Sequence, residues 1–209
     1  MKIIAVEFVT SAAAGGSSTG IPRDGLPQVA MTGRSNVGKS TLINGLLRRQ
    51  VARTSAAAGK TRLANVFRVT VEGYGPGRWS LYLVDLPGYG YARGGADSAT
   101  ELAAVAEAYF AAATPVTLLL VDSRHPGLEA DTQAYTWLTT LGVEPVIVAT
   151  KIDKLSRAER TRNLRELERT FGKPALPVSA ERGEGLDELW TTIARTGRPA
   201  RTRAGKDDE

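Results

Sequence analysis

Apolar and polar positions along this chain fall into short runs of two different periods. Ile3–Thr10 reads as a short strand, and the small and polar stretch Ser11–Gly20 after it reads as a loop. A Pro- and Gly-punctuated approach, Ile21 to Pro27, leads into the apolar run Gln28–Thr32, which ends at a glycine-containing loop. Ser40–Arg49 has helical spacing, with Leu42, Ile43, Leu46 and Leu47 on one side. Leu63–Val71 and Trp79–Val84 are rich in β-formers. The Gly/Pro cluster between them predicts a hairpin, hence one antiparallel pair.

The second half is more regular. Helical stretches over Ser98–Ala112, Glu129–Leu141 and Leu186–Ala194 alternate with apolar strands Val116–Val121, Val146–Ala149 and Leu176–Val178. Ser156 and Glu159 form a capping box that opens a further helix to about Thr170. Val116–Val121 and Val146–Ala149 are continuously apolar, as strands buried on both faces are. This alternation predicts an α/β fold: a mostly parallel sheet of six or more strands, one antiparallel edge hairpin, and helices on both faces. Three segments are expected: 1–27, an N-terminal strand and approach loop; 28–195, the main domain; and 196–209, a mobile charged tail.

Composition removes whole classes of chemistry. The chain has 209 residues and no cysteine, which excludes disulfides, Cys-ligated zinc, iron–sulfur clusters and thiol nucleophiles. A single histidine, His125, excludes a multi-histidine metal site, and a structural loop role is expected for it. No apolar run approaches the ~20 residues of a membrane span. Met1–Thr10 has Glu7 inside its apolar stretch and no clean cleavage pattern. A cytoplasmic chain with no membrane partner is expected. Twenty-seven basic against 22 acidic residues give +5, a balance that fits a polyanionic partner.

One segment carries a specific chemistry. Gly33-Arg34-Ser35-Asn36-Val37-Gly38-Lys39-Ser40 is a complete G-x-x-x-x-G-K-[ST] pattern, placed after an apolar strand and before a helix. Its glycines let the backbone wrap close to phosphate, and the helix N-terminus adds positive dipole. Lys39 then reaches the β- and γ-phosphates, and the Ser40 hydroxyl ligates Mg²⁺ (magnesium). Asp85-Leu86-Pro87-Gly88 follows the next central strand, where Asp85 is placed to hold Mg²⁺ through water and the Gly88 N–H to sense a γ-phosphate.

The base is read from two later strand ends. In Thr150-Lys151-Ile152-Asp153, one carboxylate can accept two parallel bonds from guanine N1–H and N2–H₂, which adenine cannot offer. Asp153 is therefore the discriminator, and the Lys151 stem can lie over the base plane. Ser179-Ala180 follows the last strand, where the Ala180 N–H could donate to guanine O6. Four motifs in order at the carboxyl ends of one sheet predict a guanine-nucleotide site for GTP and GDP. Between the first helix and the hairpin lies Thr54–Arg62, the place for a Mg²⁺-sensing segment. Thr61 is the natural second hydroxyl on the metal, and Thr54 competes with it.

With these segments in view, the chain resembles the bacterial EngB-type (YihA/YsxC) GTPases of the TRAFAC class. The resemblance is carried by Gly33–Thr41, Gly59–Arg62, Asp85–Ala92, Val121–Pro126 and Thr150–Lys154, with DLPGYGYA over Asp85–Ala92 the most family-specific string. It extends from about residue 3 to 195. It implies a Ras-like P-loop GTPase that turns GTP into GDP and phosphate, and a part in assembling the large ribosomal subunit, with its rRNA and proteins as partners. It also implies an association with normal cell division and septation, and a monomer is expected. Carried over by position, Ser40 and Thr61 are Mg²⁺ ligands. Nucleotide contacts fall on the phosphate loop through Thr41, on Gly59, Lys60, Thr61, Arg62 and Leu63, on Asp85–Gly88, on Thr150–Asp153, and on Val178, Ser179 and Ala180. Arg62 stands where a glutamine is expected, and Ala56–Ala58 replace a more polar stretch.

The catalytic group is not assigned. Ras-type enzymes place a water-orienting glutamine after D-x-x-G, and here that position is Tyr89, which predicts slow intrinsic turnover. Asn36 is either a K⁺ ligand, as an asparagine there is in related GTPases, or the source of a loop-shaping hydrogen bond. Tyr89 and Tyr91 either contact a partner or pack beneath the switch. The Arg157–Arg169 helix mixes five arginines with three glutamates, a solvated face by default and an rRNA contact as the alternative. The alternative to a ribosome-assembly switch is a nucleotide sensor or regulator acting directly on the division machinery, with little hydrolysis of its own.

Overall fold

In the computed structural model, residues 1–12, 20, 22–52, 64–73, 77–89, 104, 106–111, 113 and 115–196 are described. The strands are β1 (Lys2–Ala12), β2 (Gln28–Gly33), β3 (Ala64–Glu72), β4 (Arg78–Asp85), β5 (Val116–Asp122), β6 (Val146–Thr150) and β7 (Leu176–Pro177). The helices are α1 (Lys39–Leu47), α2 (described over 106–111), α3 (Glu129–Thr140), α4 (Arg157–Phe171) and α5 (Leu186–Thr196). A 3₁₀ turn, Ile152–Lys154, follows β6.

One seven-stranded sheet forms in the order β1-β3-β4-β2-β5-β6-β7. The five strands from β4 to β7 run parallel, and β3 runs against both its neighbours. The Ras-like α/β expectation of a mostly parallel sheet with an antiparallel edge holds. One detail changes: the turn signal predicts one antiparallel pair, and there are two, because β1 lies outside the hairpin. A turn reports only the pairing it closes, whereas β1 finds β3 across more than 50 residues of chain. Register shifts between Ile3 and Ala5 and between Phe8 and Thr10 interrupt this outer strand, as bulges commonly do at sheet edges.

The central strands explain their own composition. All but the first residue of β2 and β5 are buried, because helices cover both faces of the parallel part. On one face, Leu42, Ile43, Leu46 and Leu47 of α1 pack with Leu189, Trp190 and Ile193 of α5. The Trp190 indole N–H also donates to the Leu46 carbonyl at 3.2 Å. On the other face, Tyr109 and Phe110 of α2, Leu138 of α3, and Leu167 and Phe171 of α4 close a second core. The parallel arrangement sends the ends of β2, β4, β5, β6 and β7 to one rim, where all four motifs sit.

Candidate nucleotide site

β2 ends at Gly33, and the loop to Lys39 reverses the chain into α1. A Cβ at Gly33 would lie 2.9 Å from both the Leu120 carbonyl oxygen and Val37 Cγ1, so only glycine fits there. Asn36 has φ 63° and Gly38 φ 104°. Asparagine tolerates left-handed backbone better than most residues, which accounts for its presence at Asn36 through conformation. The Val37 N–H donates to the Arg34 carbonyl at 3.2 Å and Leu42 N–H to Gly38 at 2.8 Å. α1 has no side-chain cap and no acidic residue in its first turn. Its leading N–H groups are thus left for an anion.

The Lys39 ammonium forms an ion pair with the Asp85 carboxylate at the end of β4. The two side chains are 11% and 4% exposed. Past Asp85 the chain lies directly on the phosphate loop: a Cβ on Gly88 would sit 3.2 Å from Ser35 N and 3.3 Å from the Gly33 carbonyl oxygen. The Ser35 N–H donates to the Tyr89 carbonyl at 3.1 Å. The Tyr89 hydroxyl donates to Asp131 Oδ1 at 3.0 Å, and Arg34 Nε lies 3.3 Å from the same oxygen. Asp131, in the first turn of α3, is 1% exposed. Burial pushes its carboxyl above the usual range, and burial together with the Asp131 charge pushes the Tyr89 phenol up as well. Tyr89 is therefore packed and tied down, the second of the two roles expected for it. Leu86 points into the core, with its N–H on the Met31 carbonyl at 3.0 Å.

At the other end of the cleft, Thr150 Oγ1 donates to the Val37 carbonyl at 2.7 Å and the Val121 carbonyl at 3.0 Å, fastening β6 to the phosphate loop. Lys151, at φ 60°, sends its ammonium to the Asn36 carbonyl at 2.6 Å and to Asp122 Oδ2 at 3.0 Å. Asp122 also accepts from Arg124 Nη2 at 2.7 Å and Nε at 3.0 Å. Burial alone would raise the Asp122 carboxyl, but the bonds from Arg124 and Lys151 outweigh it and hold it at about 2. Asp153 accepts from Ser179 Oγ at 2.8 Å and lies 3.2 Å from Lys154 Nζ. Against the opposing effect of burial, these bonds keep Asp153 below the ordinary carboxylate range. A cavity of about 220 Å³ opens here, lined by Gly38, Thr41, Thr150, Lys151, Asp153, Val178 and Ala180 and also by Leu42, Arg124, Lys154 and Glu181.

The expected site residues thus divide by role. Ser179 is fully buried and orients the Asp153 carboxylate; Val37 and Ile152 are core residues whose neighbours form the cavity, and Val178 is a core residue that also lines it. Gly59, Lys60, Thr61, Arg62 and Leu63, the competitor Thr54, Tyr91 and the tail beyond residue 196 lie outside the described residues. Sequence reasoning missed three groups. Arg124 lies inside the segment Val121–Pro126 but has no motif of its own, and Lys154 follows Asp153 directly. Asp131, 42 residues from Tyr89, carries no local signal at all.

Ser40 and Asp85 supply hard oxygen donors, and among the described residues no cluster of three or more His, Cys, Asp or Glu is assembled for a metal. A sparse oxygen set of this kind suits Mg²⁺, which keeps waters and phosphate oxygens in its shell. No described helix is long and apolar enough to cross a membrane.

Comparison with known proteins fits this geometry. The family model described as 50S ribosome-binding GTPase matches residues 28–151. The probable GTP-binding protein EngB of Pelotomaculum thermopropionicum is 41% identical over 203 residues, covering 93% of this chain and 96% of that protein. EngB of Solibacter usitatus is 40% identical over 199 residues, covering 94% and 98%. Among solved structures, an Era variant from Aquifex aeolicus bound to GDP·AlF₄⁻ superposes with TM-score 0.70 at 26% identity, covering 84% of this chain and 58% of that one. A probable GTP-binding protein engB shares the fold with TM-score 0.60 at 23% identity, covering 80% and 98%. With its strand–loop–helix phosphate loop fastened to the strand end that carries Asp153, this chain belongs to the EngB family of GTP-binding proteins and is a GTPase.

Proposed function

We propose that this chain is a Mg²⁺-dependent GTPase switch of the cytoplasm that acts, as a monomer, on assembly of the large ribosomal subunit, and that its association with cell division and septation follows from that role. The observation that carries the reading is the fastening of the phosphate loop, whose Lys39 pairs with Asp85, to the strand end bearing Asp153, through Lys151 on the Asn36 carbonyl and Thr150 on the Val37 carbonyl. The ribosomal part is supported by the family description and by the +5 charge. Asp153 accepts the guanine edge, Lys151 covers the base, and Lys39 exchanges Asp85 for the β- and γ-phosphates. Ser40 and Thr61 would ligate the magnesium, and Asp85 would hold it through water. The chemistry supplied by bound magnesium is neutralisation of charge on the phosphate oxygens. The Gly88 N–H reports the γ-phosphate.

The position after D-x-x-G supplies no water-orienting group, because the Tyr89 hydroxyl is committed to Asp131. The catalyst on this reading is the ribosomal partner or K⁺ held beside Asn36, whose side chain is exposed on the loop. Phosphate release in matched KCl and NaCl, with and without large-subunit precursors, separates the two. The deciding experiment is sedimentation of lysate with a non-hydrolysable GTP analogue. Co-migration with the large subunit or its precursors is expected, and its absence overturns the ribosomal role. The tyrosine at 89 also favours a second reading, a sensor of little hydrolysis acting on the division machinery; negligible phosphate release even with precursors and K⁺ would support it.

A further inference from the structure

The nucleotide chemistry leaves unused the outer face of α4. Its buried side is Asn163, Leu167 and Phe171. At 100° per residue, the opposite pole falls on Ala158, Arg162, Arg165 and Arg169, all exposed. Of the acids of the helix, only Glu166 borders this face. Glu159 folds back on Ser156, 2.8 Å from its N–H and 2.6 Å from its hydroxyl. Glu168 lies on the flank, and Glu166 approaches only Arg169, at 3.5 Å. Arg160 is engaged with Glu184, off the pole. Among the described residues Arg157 and Arg165 make no ion pair, and the Arg162 guanidinium donates to Asn163 Oδ1 at 3.3 Å. Three guanidiniums thus stand in a row roughly 10 Å long, at seven residues of 1.5 Å rise.

The helix is a firm platform for that row. Its N-terminus is closed by the capping box, its C-terminus by Gly172 in the left-handed region, and Asn163 Nδ2 ties its middle to the Ser123 carbonyl at 2.8 Å. The face presents no aromatic or large aliphatic side chain. A protein partner would find no apolar anchor there, whereas phosphate contacts are made chiefly by arginine and lysine and need none.

We propose that this face of α4 docks RNA, with Arg162, Arg165 and Arg169 on consecutive backbone phosphates. The proposal rests on the ribosomal reading above and names the surface through which it operates.

The test compares wild type with R162Q/R165Q/R169Q, glutamine being a comparable helix former, and with R23Q/R49Q/R78Q, which removes the same charge from scattered exposed sites. The probes are a fluorescein-labelled RNA duplex, titrated by anisotropy at several KCl concentrations, and purified large ribosomal subunits in a sedimentation assay. GTP-analogue affinity is measured in parallel and is expected to be equal in all three proteins, which also reports folding. The α4 variant is expected to lose about tenfold or more in RNA affinity at low salt. Its log K against log salt slope should fall by about 2–3, at roughly 0.7–0.9 per phosphate contact. Subunit binding should weaken in parallel, and the scattered variant should keep most of its slope. Equal losses in both variants would reduce the surface to net charge and overturn the proposal. Loss of subunit binding with unchanged RNA binding would assign the face to an acidic protein and overturn it too. Wild type that binds subunits while the α4 variant binds them equally well also sinks the surface assignment, but leaves the ribosomal reading standing. Wild type that binds no subunits sinks that reading itself.

Discussion

The two ends of one cleft are built on opposite plans. At the base end every charged group has protein partners: Asp122 holds Arg124 and Lys151, Lys151 also reaches the Asn36 carbonyl, and Asp153 is held by Ser179 and Lys154. At the phosphate end the two decisive groups, Lys39 and Asp85, hold each other, and α1 begins without a cap. On the proposed reading, base recognition is prepared when the chain folds, so binding need not order those side chains again. Phosphate recognition would then be an exchange, in which Lys39 would leave a carboxylate for phosphate and Asp85 would be freed to help hold a metal ion. Guanine would be read at the fixed end and the third phosphate sensed at the end that rearranges.

The contrast breaks most sharply at Lys39. K39A should weaken GTP binding at least ~100-fold, about 2.7 kcal/mol, measured by calorimetry. The structure adds a second effect. Asp85 is 3% exposed, and losing its one ion-pair partner among the described residues leaves a buried charge, which costs on the order of 3 kcal/mol when a buried pair is broken. Denaturant unfolding should show that loss. K39M/D85N should recover most of the stability and none of the binding. Unchanged stability in K39A would mean that the ion pair does not hold this end together.

At the fixed end the effect should be a change of ligand with the fold intact. D153N removes the acceptor pair for guanine, and GTP affinity should fall by roughly 10- to 100-fold, as loss of charge-assisted hydrogen bonds implies. Xanthosine triphosphate should bind in its place, because its extra oxygen accepts from the new amide. Ser179 would keep the side chain oriented, so unfolding should shift little. Equal GTP affinity in wild type and D153N would remove Asp153 from the base site.

How far each end could be read from the sequence follows from how local it is. The phosphate loop is one contiguous stretch whose Gly33 and Gly38 answer to backbone geometry, so its pattern was legible outright. Strands β5 and β6 were legible because helices on both faces demand unbroken apolar runs, and Val116–Val121 was expected where Val116–Asp122 forms. The Ser156 capping box likewise reports itself within four residues. Contacts made across the fold left no such trace. The apolar run at Ile3–Thr10 says strand but not that β3 is its partner. Asp131 looks like any acidic residue in the first turn of an amphipathic helix, yet it is buried under Tyr89 and Arg34. Arg124 sat within a recognised string and bonds Asp122 only two residues away, whereas Lys151 reaches the same carboxylate only because β5 and β6 are neighbours.

That hidden contact gives the smallest and most diagnostic effect. The Tyr89 hydroxyl and Arg34 favour the charged form of Asp131, while burial, the larger influence, opposes it and leaves the carboxyl raised. A raised folded-state value means that the folded chain holds its proton to higher pH than the unfolded one. Stability from this group is therefore greatest at low pH and is lost as pH rises through the folded value. Y89F should cost about 1–2 kcal/mol at pH 7, the usual range for depriving a buried carboxylate of one donor, and less near pH 4, where the carboxyl is protonated in more of the folded molecules. D131N should remove this pH dependence, so that wild type gains on D131N as pH falls from 7 toward 4 in paired denaturant titrations. Intrinsic GTP turnover of Y89F should stay within about threefold of wild type, since the hydroxyl faces Asp131 and not the phosphates. A fall of tenfold or more in turnover, with unfolding unchanged, would instead put the hydroxyl at the reacting water and place catalysis on Tyr89 itself.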